Sequence, residues 1–177
     1  PDMCHNWTTT PMKPLLNLCF LVAGLAFGQA ALAQTPAVTS TLSAQRVEMV
    51  DGKAVLKPAA QSKPGEVIEY SGTYRNGGTT AVDKLQAVVP VPVGTTFIAG
   101  SAQPTSAQAS TDGTRFAPLP LTRMVKQADG TERKEAVPLA EYRALRWDVG
   151  TLGAGTSTVV SLRVRIDTPV AAAGTKP

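Results

Sequence analysis

An all-β domain, built as an antiparallel β-sandwich, is the fold class that this sequence predicts. Apolar and polar residues alternate along several short runs, turn signals recur about every ten residues, and no segment after residue 33 has a helical period. With 177 residues the chain can form one ordinary domain with its own core. We therefore expect a single β-sandwich.

A helical signal peptide is predicted ahead of that domain. Met12 and a lysine are followed by PLLNLCFLVAGLAFG, an apolar run of roughly fifteen residues, and then by an A-x-A cleavage site that ends at Ala33. The run is short for a bilayer span, so a membrane anchor or a buried core helix is less favoured. We assign residues 12–33 to the signal peptide and 1–11 to an upstream extension, and we expect a secreted chain without a membrane span.

Loss of this segment removes most of the chemistry that the sequence offers. Cys4, His5 and Cys19 all precede the cleavage site, so the mature chain would contain neither cysteine nor histidine. This excludes a disulfide scaffold, a cysteine or histidine zinc site, a thiol nucleophile and a Ser-His-Asp triad. We expect no cofactor, no metal and no nucleic-acid partner, and a periplasmic, cell-surface or extracellular location.

The first strands of the domain follow a short linker. The stretch QTPAVTST, residues 34–41, is rich in Pro, Thr and Ala and is predicted to be an exposed linker, with the domain at 42–168 and a flexible tail at 169–177. Asp51-Gly52 lies between two short runs and predicts a hairpin. The next strand, EVIEYSGTYRNGG, has one predicted face. That face consists of Ile68, Tyr70, Gly72 and Tyr74.

The middle of the domain is less regular. Leu85, Ala87 and Val89 form the inward set of one strand, which the prolines of VVPVPVG bring to an end. Residues 101–114 are predicted to be a long loop. Residues 115–141 are predicted to be an irregular edge region. Asp112-Gly113 and Asp129-Gly130 have turn chemistry, which is favoured over calcium loops because each Asp stands alone.

The last two strands have the clearest alternation. In RALRWDVG, Trp147 shares a face with Leu145 and Val149, so it is predicted to be in the core and not on a sugar-binding surface. In TVVSLRVRID the inward set is Thr158, Val160, Leu162, Val164 and Ile166.

The stretch GTLGAGTST between these strands differs by one residue from a phosphate-binding loop, since Thr156 stands where that loop has Lys. A strand follows it, so no helix N-terminus is present to bind phosphate. The glycines are predicted to reverse the chain in a tight hairpin.

In their order, four stretches resemble the bacterial surface-repeat modules catalogued as domain of unknown function eleven: KPGEVIEYSGTYRNGG, VVPVPVGTTFIAGSA, STDGTRFAPLP and RWDVGTLGAGTSTVVSLRVRI. They span about residues 63–166. The resemblance implies an immunoglobulin-like β-sandwich in an envelope setting, and it implies no catalytic residues. The chain departs from the family at VVPVPVG, where many members have Asp-x-Leu-Pro, and residues 115–141 are longer than the minimal module.

Three arginines form the candidate site. Arg146 on one strand and Arg163 and Arg165 on the next project away from the apolar set, so a tight hairpin would gather them on one face. Such a cluster can bind carboxylate or phosphate groups, as on acidic polysaccharide. The alternative is a solvated sheet face with nearby aspartates as counterions.

The function predicted is a secreted, non-catalytic module with a structural or binding role in the bacterial envelope, with envelope proteins or acidic polysaccharide as partners. A carboxylate-dependent hydrolase that acts on cell-wall or extracellular glycan is the alternative, because carboxylates are the only acid–base groups left near neutral pH. Its acidic side chains are scattered on strands predicted to face outward. They are Glu66, Glu69, Asp83, Glu141 and Asp148.

Overall fold

A computed structural model describes residues 37–169 and confirms the all-β prediction. The cleavage site, the signal peptide and all of the tail except Pro169 lie outside the described residues. Three antiparallel sheets are present among residues 37–169. Within this part of the chain, no helix has the length and apolar character that crossing a membrane requires.

The larger sheet has five strands. They are β1 (Val38–Val50), β2 (Lys53–Pro58), β3 (Val67–Asn76), β5 (Thr95–Phe97) and β11 (Ser157–Ile166), in the order β2-β1-β3-β11-β5. The strand β1 begins at Val38, because Val38 to Thr41 pair with Thr73 to Asn76 of β3. The linker predicted over residues 34–41 is therefore wrong from Val38 onward: threonine and valine favour strands, and β3 supplies the backbone partner.

The second sheet has four strands. They are β4 (Val82–Pro90), β6 (Gln108–Ser110), β7 (Ala117–Pro118) and β10 (Ala144–Leu152), in the order β4-β10-β6-β7. The loop predicted over residues 101–114 thus contains a strand, since β6 pairs with β10. Residues 115–141 contain β7, a separate hairpin and a single 3₁₀ turn. The hairpin is formed by β8 (Thr122–Lys126) and β9 (Glu132–Ala136), and the 3₁₀ turn is Leu139–Glu141.

The turn predictions at the Asp-Gly pairs are confirmed. Asp51 and Gly52 have φ values of 50° and 74° and join β1 to β2 as a two-residue hairpin loop. Both residues lie in the left-handed region, as a type I′ turn requires. Gly130, with φ of 84°, lies in the turn between β8 and β9.

Side chains from both main sheets form one core. The inward faces predicted for β3, β4, β10 and β11 are confirmed in their central positions. Gly72 lies where the sheets approach closely, since a Cβ added there would be 3.2 Å from Cγ2 of Val89. The fully buried apolar side chains include Trp147, Tyr142, Phe97, Leu145, Leu162 and Val89.

Two aromatic residues bind loops to this core. Trp147 is 2% exposed, and its Nε1 donates a hydrogen bond of 2.6 Å to the carbonyl of Pro104. Tyr142, which the sequence analysis did not single out, stacks on Phe97 with ring centroids 5.7 Å apart. Its hydroxyl accepts a hydrogen bond of 2.9 Å from the N–H of Leu121. The aromatic rings therefore fix the long connections as well as fill the core.

At the outer edge of β4, a side chain from the opposite sheet occupies backbone groups that another strand could otherwise use. The hydroxyl of Tyr74 accepts a hydrogen bond of 2.8 Å from the N–H of Val88 and donates one of 2.9 Å to its carbonyl. Pro90, at the end of β4, has no N–H to donate. This edge consequently offers few backbone groups to another strand.

Replacing Trp147 by Ala should lower the free energy of unfolding by about 3–5 kcal/mol, because the change leaves a cavity and an unpaired carbonyl at Pro104. Urea denaturation of the variant and the wild type measures the difference. Val159→Ala is the control, since this valine is 55% exposed and its loss should change stability by less than about 0.5 kcal/mol. Equal effects of the two variants would contradict a core role for Trp147.

Candidate functional site

The structure separates the three arginines predicted to form one face. Arg146 lies on β10 in the four-stranded sheet, whereas Arg163 and Arg165 lie on β11 in the five-stranded sheet. The segment between β10 and β11 crosses from one sheet to the other, so these strands are not paired as a hairpin. The predicted chain reversal is present, but the predicted single arginine face does not form.

Arg146 is engaged by its own sheet. Its guanidinium carbon lies 4.4 Å from the centroid of the Phe116 ring, and its Nε and Nη2 donate to Oε1 of Gln108 at 3.2 and 2.6 Å. A guanidinium over an aromatic face is attracted by the ring quadrupole. These contacts hold the segment around β6 and β7 against β10, and they assign Arg146 a structural role.

Arg163 and Arg165 differ in their surroundings. Arg163 faces Glu69 across the β3–β11 pair, and its Nε donates to Oε2 of Glu69 at 2.8 Å. The Glu69 side chain is only 14% exposed, so the bond is partly shielded from water. Arg165 is exposed and forms no ion pair with any residue in 37–169. Of the three arginines, Arg165 is therefore the one whose guanidinium can reach an outside group.

A depression in the surface lies beside Arg165. It has a volume of about 490 Å³ and is lined by residues of β5, the end of β11 and Leu139. The lining also includes Asp167, whose carboxylate accepts a hydrogen bond of 2.7 Å from Oγ1 of Thr96. The site therefore presents one exposed cation beside one engaged carboxylate, and the charged groups do not converge on a buried point. An apolar depression of about 200 Å³ adjoins it at Phe97 and Tyr142.

The acidic side chains have lowered rather than raised pKa values wherever their environment changes them. The ammonium of Lys57, 2.5 Å from Glu48, lowers the pKa of that carboxyl by hydrogen bonding. The pKa of Asp129 is lowered by the hydroxyl and N–H of Thr131. The pKa of Asp112 is lowered by the backbone N–H groups of Arg115 and Thr114. These carboxylates are stabilised as anions by ion pairing or turn geometry, which is the reverse of what a general acid requires.

Two further features bear on the chemistry available. Between residues 37 and 169, no cluster of three or more His, Cys, Asp or Glu side chains is placed to hold a metal ion.

The strand β2, which sequence analysis predicted only as half of a hairpin, is exposed at all six of its positions. Its lysines and its apolar residues are visible in the sequence, but its position at the outside of the sheet depends on pairings that the local pattern does not specify.

Comparison of the chain with protein-family models, with curated proteins and with solved structures found no match.

Replacing Asp112 by Asn should make the free energy of unfolding less sensitive to acid. In the folded chain the pKa of Asp112 is held far below its ordinary value, because it accepts hydrogen bonds from the N–H groups of Arg115 and Thr114 and from the Arg115 guanidinium. A depressed pKa contributes stability that is fully present above the unfolded pKa of about 3.9 and is lost as the pH falls toward the folded value.

The measurement is urea denaturation of the wild type and the variant between about pH 7 and about pH 2, the range over which carboxylates protonate. The two curves should differ by a constant amount above about pH 5 and approach each other as the pH falls below about 4. Asp51→Asn is the control, since Asp51 lies in an exposed turn. Identical pH profiles for the wild type and Asp112→Asn would refute a role for this carboxylate in acid sensitivity.

Proposed function

We propose that this protein is a secreted, non-catalytic module of the bacterial envelope or extracellular space, with an immunoglobulin-like β-sandwich and a structural or binding role. The observation that carries the proposal is how the acidic side chains are used. Apart from Asp51 and Glu132, each carboxylate among residues 37–169 accepts a hydrogen bond or an ion pair from the same chain. These groups stabilise turns and strand pairs.

Two carboxylates that share one cationic partner support the same proposal. Arg46 of β1 contacts both Glu48, through Nη2, and Glu66, through Nη1 at 3.5 Å. A glycosidase needs one carboxyl with a raised pKa and a second carboxylate across a substrate cleft. Here one guanidinium contacts both carboxylates, and the pKa of Glu48 is lowered, chiefly by its hydrogen bond to Lys57. The arrangement suits an ion-pair network that links the β1–β2 hairpin to the residue before β3.

The residues that carry the family resemblance also support the immunoglobulin-like assignment. Trp147 lies in the core between two antiparallel sheets, as expected for a sandwich of this class. Asn76 and Leu152 are buried at the ends of β3 and β10, and Gly65 has φ of 85° in the turn before β3. The motif positions thus coincide with positions that the fold itself constrains.

The start of the folded domain is compatible with export. Cleavage after Ala33 would leave four residues before the first strand, because β1 begins at Val38. Processing would therefore remove none of the strand pairings described above. For the partner, we retain envelope proteins in preference to acidic polysaccharide, since the arginines do not form one face.

Expression of the full chain in a bacterial host should give a processed protein outside the cytoplasm that begins at or near Gln34. Small residues before the scissile bond are what signal processing requires. Cell fractionation followed by N-terminal sequencing measures both location and cleavage. Ala33→Leu should accumulate as the unprocessed form, and Ala37→Leu, beyond the cleavage site, is the control. An unprocessed wild-type chain in the membrane fraction would refute the export proposal.

Incubation of the protein with peptidoglycan and with neutral and acidic polysaccharides should release no new reducing ends. Apart from Asp51 and Glu132, the described carboxylates are committed to contacts within the chain, which removes them from the paired acid–base role that glycan cleavage needs. A reducing-sugar assay measures release. Hydrolysis that disappears in Glu48→Gln and in Glu66→Gln but persists in Glu132→Gln would support the glycan hydrolase instead.

A further inference from the structure

The strand β2 is an open edge of the five-stranded sheet. All six residues from Lys53 to Pro58 are exposed, and β2 pairs only with β1. Apolar side chains remain uncovered on both faces of this hairpin, with Met49 68% exposed and Val50 43% exposed. We call the strand Lys53–Pro58 and its unpaired side the β2 edge. An open edge of this kind is a template for another strand.

The backbone groups available at the β2 edge follow from the hairpin register. Val50 and Lys53 close the two-residue loop, so they exchange hydrogen bonds, and the alternation of an antiparallel ladder continues along β2. Ala54 and Leu56 therefore direct their N–H and C=O groups away from β1. Pro58 has no N–H, so the row of donors stops after Leu56. An added strand would be bound through these two residues.

Side chains on the two faces of β2 set the character of such a strand. Lys53, Val55 and Lys57 lie on one face, and Ala54 and Leu56 lie on the other, because successive residues alternate. The second face continues into a mainly apolar depression with a volume of about 390 Å³. Its lining includes Val47, Met49 and Ile98. A complementary strand places acidic residues opposite the lysines and apolar residues between them. Lys53 has no ion-pair partner among residues 37–169, whereas Lys57 contacts Glu48 of β1 and keeps two further N–H donors for a second carboxylate.

A second copy of this chain does not satisfy these requirements. An antiparallel pair of β2 edges would exchange all the available hydrogen bonds when Ala54 lies opposite Leu56 of the other copy. That register places Lys53 opposite Lys57, and like charges directly opposite each other are destabilising. Glu48 offsets the charge of Lys57 only in part, since both side chains of that ion pair are in contact with water. Lysines on an edge strand commonly prevent association between identical sheets. The same two charges attract a strand of opposite sign.

We infer that the β2 edge binds an extended segment of a partner protein in which two acidic residues flank three apolar ones, by adding that segment to the sheet. The acidic residues lie opposite Lys53 and Lys57, and the central residue lies opposite Val55. This inference rests on the proposed function, because it names the kind of partner that a binding module would take.

The probe is a fluorescein-labelled peptide of sequence S-E-L-V-L-E-S, whose symmetrical pattern fits β2 in either direction. Fluorescence anisotropy with the full chain should give saturable binding, and S-K-L-V-L-K-S should bind more weakly. In Lys53→Glu, affinity for the acidic peptide should fall about two- to fivefold, the range for an exposed ion pair. The lysine peptide should gain affinity in this variant. The control is Lys134→Glu, which makes the same charge change on the exposed face of β9.

A second pair of variants tests the backbone contact. Ala54→Pro removes an N–H that faces solvent, which an edge strand tolerates, and should weaken the acidic peptide about tenfold or more. Ala54→Thr keeps the N–H and should bind as the wild type does. Circular dichroism and urea denaturation confirm that both variants are folded.

Three outcomes would overturn the inference. They are no binding of the acidic peptide, equal affinity in Ala54→Pro and the wild type, and equal effects of Lys53→Glu and Lys134→Glu. Glycan hydrolysis would instead refute the proposed function, and the peptide result would stand independently of it.

Discussion

The buried amide of Asn76 is the constraint that fixes how the two sheets are joined. Its Nδ2 donates hydrogen bonds to the carbonyls of Thr80 and Leu152 at 2.8 and 2.9 Å, and its Oδ1 accepts one of 3.0 Å from the N–H of Gly78. Thr80 lies in the connection from β3 to β4, and Leu152 is the last residue of β10. One side chain in the five-stranded sheet therefore holds two connections that lead to and from the other sheet.

The remaining contacts at this end of the sandwich are consistent with that role. The N–H of Asn76 donates to the carbonyl of Thr156 at 2.9 Å, so the return from β10 to β11 is also bound here. Asn76 is 0% exposed, and an amide in such a position is costly unless its donors and acceptor are satisfied. Because all of them are satisfied, the residue specifies one arrangement of the connections. Trp147 and the inward faces of the strands then fill the space between the sheets.

Sequence patterns predicted which residues face the core but not which strands are neighbours. The alternation in β11 and β10 depends only on local burial, so Leu162, Val164 and Trp147 were placed correctly. The hairpin predicted between these strands was wrong because β10 has register shifts around Gly150, where φ is 75°, and the chain then passes to the other sheet. A run of glycines permits either course. The predicted arginine face required β10 and β11 to pair in one sheet, so it does not form when the two strands lie in different sheets.

The exposure of β2 could not be predicted from the sequence either, because it too depends on which strands become neighbours. A strand at the outside of a sheet and one in its middle can have the same residues, since the difference lies in long-range pairing. The Thr- and Ser-rich start of β1 likewise gave no apolar alternation, although its backbone pairs with β3 over Val38 to Thr41. Buried polar residues such as Asn76 are also predicted poorly, because their value depends on carbonyl groups from distant segments.

The closed edge of β4 limits how many strands the two main sheets could add. Tyr74 and Pro90 close that side of the four-stranded sheet, its opposite strand β7 has only two residues, and Leu139 packs beside the short strand β5. Of the edges of the two main sheets, the one formed by β2 is left with a continuous row of exposed residues. Within the two main sheets of residues 37–169, a strand added at β2 would leave no comparable edge from which a polymer could grow. Through these two sheets, the chain would terminate a β-sheet assembly instead of extending it.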